Sequence, residues 1–397
     1  MPGFESSLRA FARRYVIALG LAALTMVLAV VMVNYVFNEK FSKIERVDVD
    51  TVASPTEVAN YLLIGSDTRA FVTDAEDEAA FGSEATGELG QRSDTLMVIH
   101  VDPTKQRAVV VSFPRDLWVE IAGVPLDETH CTSIIEGKCM SRINSAFGSG
   151  PDIVIQTLQQ NFQIPINHYM EVDFKTFEGV VDAVGDVPIY FPYPTRDEYT
   201  GLYAPVAGCH ELDGKGALAY ARSRHVEYYS FTDLGWYDAD ATADLARIKR
   251  QQDFMRRLMR LAVDKSLTNP LTASKVVDRV IPNLKIDATL EKDDLLGLID
   301  VFRGIDPNDS SKVEFLTIPG RNVNVGGASV LFVDEPTAAG MLSLLRGDSG
   351  DTSAQSTTTQ STVVDGSVAT TTTTSPPLPI EDEDRFGVPA PNTAPCV

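Results

Sequence analysis

The sequence predicts an α/β fold: a mixed central sheet covered by helices on both faces, preceded by one transmembrane helix. Three observations carry this. Short apolar strands alternate with helical segments from residue 60 onward. Two of those strands are joined by only the DPTKQ connection, which suits a hairpin and not a crossover. Tyr15–Phe37, YVIALGLAALTMVLAVVMVNYVF, is a run of 23 residues without a charge, and about 20 residues of helix cross a bilayer core.

The uncharged run sets the organisation of the chain. It exceeds the apolar region of a signal peptide and no small-x-small cleavage site follows it, so it reads as an uncleaved anchor. Arg9, Arg13 and Arg14 precede it, whereas the far flank, NEKFSKIERVD, mixes charges. The positive-inside rule then leaves residues 1–14 in the cytoplasm, 15–37 in the membrane and the rest outside. Residues 38–57 read as a juxtamembrane stalk and 58–347 as one extracellular domain. From 348 to 397 the chain turns to Ser, Thr, Pro and acid, a composition that cannot bury enough apolar area to offset chain entropy, so this tail is expected to be disordered.

Within the domain the elements follow in order. NYLLIG is an apolar strand running into SDTR. TLMVIHVD is a second strand closed by Pro103, and RAVVVSFP a third ending at Pro114. PDIVIQTLQQNF carries Ile153, Ile155, Leu158 and Phe162 at loosely helical spacing. HYMEVDF is strand-like, FEGVVDAVG helical and DVPIYF strand-like. ADLARIKRQQDFMRRLMRLA is a long helix whose apolar face is Leu245, Ile248, Met255, Leu258 and Met259. TASKVVDRVIPNL and DDLLGLIDVFRG look helical and KVEFLTIPG strand-like; residues 266–347 are expected to complete the domain. The stretch from Asp74 to Glu88 holds six acids and no base and reads as a solvated loop.

Composition narrows the function. The 397 residues carry 34 Lys+Arg against 55 Asp+Glu, a net charge of −21, with 44% hydrophobic residues. An ordinary core is therefore available, but a whole-chain nucleic-acid binder is excluded, because it would need a basic face. In so acidic a chain, clustered arginines are informative. The four cysteines suit an oxidising compartment. Cys131 and Cys139 flank a short loop without a CxxC pair, so a disulfide is favoured over a metal site. Cys209 and Cys396 are left open between pairing and remaining free.

Arginines and aspartates gather in short motifs: Asp67 and Arg69 in GSDTR, Arg92 and Asp94 in QRSDT, Arg115 and Asp116 in FPRD, Arg142 in SRINSAF, Arg222 and Arg224 in YARSRH, and Arg247, Arg250 and Gln251 in RIKRQQ. If ARSR is extended, Arg222 and Arg224 share a face. Arg247, Arg250 and Gln251 fall at i, i+3 and i+4, one face of a helix. Asp67 at a strand end and Asp94 before a strand could meet at one edge of the sheet, where paired carboxylates favour a cation. Several guanidiniums nearby favour a polyanion, since forked donors match phosphate oxygens. The combination predicts a diphosphate–Mg²⁺ site; ordinary surface or internal ion pairs are the alternative for any single Arg–Asp pair.

These segments, YLLIGSDTR, RSDTLMVIHVDP, VVVSFPRDLWV, RINSAFGSGPD, HYMEVDFKTFEGVVDAVGDVPI, LDGKGALAYARSRH and DLARIKRQQ, resemble in kind and order the LytR-CpsA-Psr family over roughly residues 60–262. The resemblance implies a three-layer α/β/α sandwich with a deep apolar pocket for a polyprenyl chain. It implies a Mg²⁺-assisted transferase that moves a glycopolymer from a polyprenyl-diphosphate carrier to peptidoglycan, forming a phosphodiester and releasing polyprenyl phosphate. The expected partners are that lipid-linked glycopolymer, peptidoglycan and the cytoplasmic membrane.

Motif by motif, Asp67 and Asp94 fall at the family's metal-associated acids. Arg92, Arg115, Arg222 and Arg224 fall at its diphosphate-contacting arginines, and Arg247 and Gln251 in its RxxRQQ segment, with Arg250 between them. Arg142 stands where relatives often carry Lys. Asp67, Asp94, Arg92 and Arg115 are thus the catalytic candidates, with the general base open between the two acids. Val109, Val111, Phe174, Phe177 and Val181 are candidate walls of the isoprenoid pocket, plain core being their alternative. The stretch between Arg224 and Asp244 is long and reads as a lid or partner loop. Two rival readings share the pocket: a polyprenyl-diphosphate lipid hydrolase, and a non-catalytic lipid-binding protein of envelope assembly.

Overall fold

The computed structural model describes residues 35, 38–66, 93–239, 243–262, 278–279, 281, 284–303, 312–347 and 396. The chain opens with β1 (Glu45–Val47), β2 (Ala59–Ser66), β3 (Ser93–Asp102) and β4 (Arg107–Ser112), followed by β5 (Trp118–Glu120), β6 (Ser133–Ile135) and β7 (Lys138–Arg142). A 3₁₀ segment (Ile143–Ser149) leads into α1 (Pro151–Phe162); then come β8 (His168–Val172), α2 (Phe174–Val184), β9 (Val187–Phe191), β10 (Thr195–Asp197), β11 (Leu202–Ala204) and β12 (Gly208–Leu212). α3 (Gly214–Arg222), β13 (Glu227–Ser230), β14 (Gly235–Asp238) and α4 (Ala243–Leu261) follow. The described domain closes with β15 (Lys285–Asp287), α5 (Lys292–Arg303), β16 (Val313–Thr317), β17 (Gly320–Val325), β18 (Ala328–Val333) and α6 (Glu335–Arg346).

The central sheet has seven strands in the order β1-β15-β8-β2-β3-β4-β16. It is mixed, as the sequence predicts. β2, β3 and β4 run antiparallel in succession, whereas β2 with β8, β4 with β16 and β1 with β15 are parallel. Alternation along each strand separates two cores. Leu62, Ile64, Leu96, Val98, Val109 and Val111 point to one face and pack on Val154, Ile155 and Leu158 of α1 and on Ala338, Leu342 and Leu345 of α6. Tyr61, Met97, Ile99, Val101 and Val110 point to the other and meet Val301 of α5 and, at their margin, Met259 of α4. A third core joins α2, α3, α4 and β9, centred on Phe254 and Val181.

Two organisational expectations change. The stalk assigned to residues 38–57 is largely part of the domain: Phe41 and Ile44 are buried in the second core, and β1 pairs in parallel with β15. Apolar side chains at 41, 44 and 47 are the sequence signal for this, masked by the charges between them. The stretch between Arg224 and Asp244 holds a hairpin: β13 and β14 pair with each other, and β13 joins β10 and β11 in a four-stranded sheet. Its aromatic residues are strand formers.

Beyond residue 266 the chain supplies β15 and β16 to the central sheet. The Cys131–Cys139 disulfide closes the β6–β7 region, and Cys209 of β12 pairs with Cys396. Among the described residues no helix is long and apolar enough to cross a membrane; the anchor assigned to 15–37 lies outside the described residues apart from Tyr35, as do the acidic loop and all of the tail but Cys396.

Candidate active site at one end of the sheet

Sheet direction gathers the site. β2, β4 and β16 all end, and the antiparallel β3 begins, at one edge, where Ser66 stands opposite Ser93, and Met97 and Thr317 flank Ser112. The β2–β3 register slips at Gly65 and Ser66, so Asp94 sits in a bulge. Gly65 is required here because a Cβ would lie 2.9 Å from Cβ of Thr95. The backbone thus places Asp94 directly beside the strand end that Asp67 follows in sequence. Asp67, Arg69 and Arg92 lie outside the described residues, as does the Asp94 side chain.

α4 lies against this edge and is pinned to it by two adjacent glutamines. Gln251 Nε2 donates to Thr95 Oγ1 at 2.9 Å and to the Ala221 carbonyl at 3.2 Å. Gln252 Nε2 reaches Ser112 Oγ at 2.9 Å, the Leu316 carbonyl at 2.9 Å and Thr317 Oγ1 at 3.1 Å. Through these contacts α4 presents its N-terminal turns to the loop after β4.

Arg115 leaves that loop, and its Nε lies 3.2 Å from Asp244 Oδ1. The same oxygen takes Arg247 Nη2 at 2.7 Å, and Arg247 is almost wholly buried. On the other side, Asp116 lies 3.7 Å from Arg115 and 3.1 Å from Arg142 Nε; Arg142 also donates to the Ser329 carbonyl at 3.0 Å. Carboxylates therefore alternate with guanidiniums across the site: Arg142, Asp116, Arg115, Asp244, Arg247. Like charges this close are held together only by such intervening acids.

The second arm comes from the end of α3. Arg222 is the last residue of that helix, with its guanidinium 4.4 Å above the Phe174 ring, a cation–π contact. ARSR is therefore not extended throughout, contrary to the condition set from sequence; the chain becomes extended at Ser223, φ −58° and ψ 133°. Ser223 is buried, its hydroxyl donating back to the Ala219 carbonyl at 2.8 Å, while its own carbonyl accepts Arg250 Nη2 at 2.5 Å. The amides of Arg224 and His225 both donate to Asp197 Oδ2, at 3.1 and 3.0 Å. Arg250 and Gln251 so tie the α3 end to α4, and Arg224 is fixed by its backbone with its side chain half-buried.

The structure thus links Arg142, Arg115 and Arg247 through shared carboxylates and ties Arg250 and Gln251 of α4 to the backbone at the α3 end, which carries Arg222 and Arg224. It does not bring together the proposed lipid walls. Val109 and Val111 are buried in the first core, under α1 and α6, whereas Phe177 and Val181 belong to the third core and Phe174 stacks on Arg222. Strand parity decides this: Val110, not its neighbours, faces the α5 side.

Asp244 and Gln252 were passed over in sequence reasoning. Asp244 could have been found, since it precedes Arg247 by one helical turn and Arg250 by nearly two. Gln252 offered no signal beyond its place next to Gln251. Among the described residues no group of three or more His, Cys, Asp or Glu side chains could hold a metal.

The sequence matches the LytR_cpsA_psr family over residues 28–346. It is 31% identical over 268 residues to the Corynebacterium glutamicum probable cell wall biosynthesis protein LcpB, covering 66% of this chain and 57% of that one. It is 28% identical over 257 residues to the Bacillus subtilis polyisoprenyl-teichoic acid–peptidoglycan teichoic acid transferase TagV, covering 63% and 57%. The chain thus spans little more than half the length of these relatives. In fold it is similar to the LytR-Csp2A-Psr enzyme from Actinomyces oris, with a TM-score of 0.57, 22% identity and coverage of 76% of this chain and 95% of that one.

Proposed function

Because the chain belongs to the LytR-CpsA-Psr family, we propose that it is a transferase moving a glycopolymer from a polyprenyl-diphosphate carrier to peptidoglycan, with release of polyprenyl phosphate. The observation that supports this reading is the carboxylate-linked row of Arg142, Arg115 and Arg247, with Arg250 of α4 bonded to the backbone at the α3 end, beside the sheet edge where β3 begins. A diphosphate matches that array, because two adjacent phosphates offer oxygen pairs to forked donors.

In the reaction the acceptor hydroxyl attacks the phosphorus bonded to the sugar. A P–O bond to that hydroxyl forms, the bridging P–O bond breaks, and polyprenyl phosphate leaves. The hydroxyl proton passes to a carboxylate, with Asp67 and Asp94 the candidates. Such transfers need positioning and charge stabilisation more than covalent chemistry. Arg115 and Arg224 hold the diphosphate, while Arg247, Arg250, Gln251 and Asp244 hold those groups in place. Asp67 and Asp94 would bind Mg²⁺, which would neutralise diphosphate charge.

The uncharged run at 15–37 would anchor the domain to the cytoplasmic membrane, with the N-terminus in the cytoplasm and the domain outside. Two disulfides in the described chain support an oxidising, extracytoplasmic location. An anchored enzyme meets a lipid-linked donor in the plane of its own membrane.

Transfer in vesicles that carry the lipid-linked polymer, with purified peptidoglycan as acceptor, tests the reading. Wild type is expected to attach polymer and release polyprenyl phosphate. Arg115→Ala and Arg224→Ala are each expected to lower the rate by about 10² or more with an unchanged circular dichroism spectrum, and a chelator to slow wild type. Full activity in either folded variant contradicts the assignment. Release of phosphate-bearing products without peptidoglycan would identify a hydrolase instead, and lipid binding without turnover a carrier.

A further inference from the structure

A cavity of a different chemistry opens at His225, the residue after Arg224. It encloses about 280 Å³ and is lined by Glu198, Tyr199, His225, Glu227 and Asp238. That volume is at the small end of ligand cavities, about 300–1,000 Å³, and suits a single ring. The walls are three carboxylates, an imidazole and a phenol. Tyr199 is 82% exposed, with its ring 4.7 Å from that of His225, so the pair forms an aromatic wall open to solvent.

The carboxylates are held in place. Arg196 sits behind them, its Nη1 2.7 Å from Glu198 and its Nε 2.7 Å from Glu227. Its guanidinium lies 4.4 Å above the Trp236 ring, which in turn meets Tyr229 edge-on at 5.3 Å. Arg196 and Glu227 stand on paired strands of the four-stranded sheet, and Glu198 and Tyr199 in the turn that follows β10, so the sheet positions one glutamate directly and the other through Arg196.

Charge decides what enters. Three carboxylates against one guanidinium repel a diphosphate or a phosphate-bearing polymer, whereas the neighbouring arginine array attracts both. A neutral, hydroxyl-rich ring meets neither objection: its C–H face stacks on Tyr199 and its hydroxyl and amide protons are donated to the glutamates. Position supplies the link. His225 lines the cavity and follows Arg224 directly, and one Asp197 oxygen accepts both of their amides.

We propose that this cavity is the acceptor subsite, and that it binds an uncharged N-acetylated sugar unit of the glycan strand next to the one whose hydroxyl is phosphorylated. This rests on the transferase reading above. It assigns donor and acceptor to neighbouring surfaces of opposite charge joined by the Ser223–His225 segment.

The test is a titration of the full chain in detergent with a peptide-free glycan tetrasaccharide of peptidoglycan, alongside transfer to intact peptidoglycan. Tyr199→Ala is expected to weaken glycan binding at least tenfold, Tyr199→Phe to restore it, and Asp238→Asn to weaken it as well. None of the three should alter affinity for the polyprenyl-diphosphate donor. Unchanged glycan affinity in Tyr199→Ala overturns the proposal, and so does a wild type that transfers polymer yet does not bind the tetrasaccharide. A wild type that binds the tetrasaccharide through Tyr199 but transfers nothing would sink the transferase reading and leave the subsite standing.

Discussion

At the scale of single residues, Asp244 is the side chain on which the arginine array depends. One of its oxygens serves both Arg115, at 3.2 Å, and the buried Arg247, at 2.7 Å. Removing the carboxylate that pairs with a buried guanidinium typically costs about 3–5 kcal/mol. Asp244→Ala is accordingly expected to lower unfolding free energy by about 3 kcal/mol in denaturant titration and to reduce donor affinity. Arg142→Ala, on a side chain much more open to solvent, should change stability by less than about 1 kcal/mol. Equal stability losses in the two variants would mean that the order of importance along the array is wrong. The sequence displayed these arginines because they cluster in short motifs of an otherwise acidic chain. It did not display which acid each would choose, since that depends on how α4 lies across the sheet edge.

At the scale of elements, the strand β15 is fastened to β8 by a buried carboxylate far from the arginines. Burial alone pushes the Asp287 carboxyl up, but the His168 ring at 3.4 Å and hydrogen bonds from Thr289 and the Tyr169 amide outweigh it and hold the group at about 2, below the ordinary 3.8. Because the folded value is depressed, the stabilisation is complete above pH about 4 and is lost as pH falls from about 4 to about 2. It amounts to about 2 kcal/mol. Thermal unfolding followed from pH 5 to pH 2 should show this loss, and Asp287→Asn should remove that part of the slope. Much of the element pattern was legible: NYLLIG, TLMVIHVD, RAVVVSFP and the long helix appear where their periodicity puts them. β1 and β15 were not, because three-residue strands are too short to show a period. The β13–β14 hairpin was hidden by its polar and aromatic composition, which resembles a loop until its cross-strand partners are known. The lipid walls failed for a related reason. Alternation shows that Val109 and Val111 share a face, but not which face of the sheet the arginine-bearing helix crosses.

At the scale of the whole molecule, the arginine array and the carboxylate-lined cavity differ in sign of charge, and the Ser223–His225 segment touches both. The acidic excess of the sequence, −21, makes the arginine array the local exception. In the proposed transferase, arginines far apart in sequence converge on the diphosphate of a lipid-linked sugar. Calorimetric titration of a short-chain polyprenyl-diphosphate sugar into the purified chain tests it most directly. Binding should weaken with added salt, should fall at least tenfold in both Arg115→Ala and Arg224→Ala, and should be much weaker for the corresponding monophosphate. Affinity that is the same in wild type and in both folded variants would contradict the account.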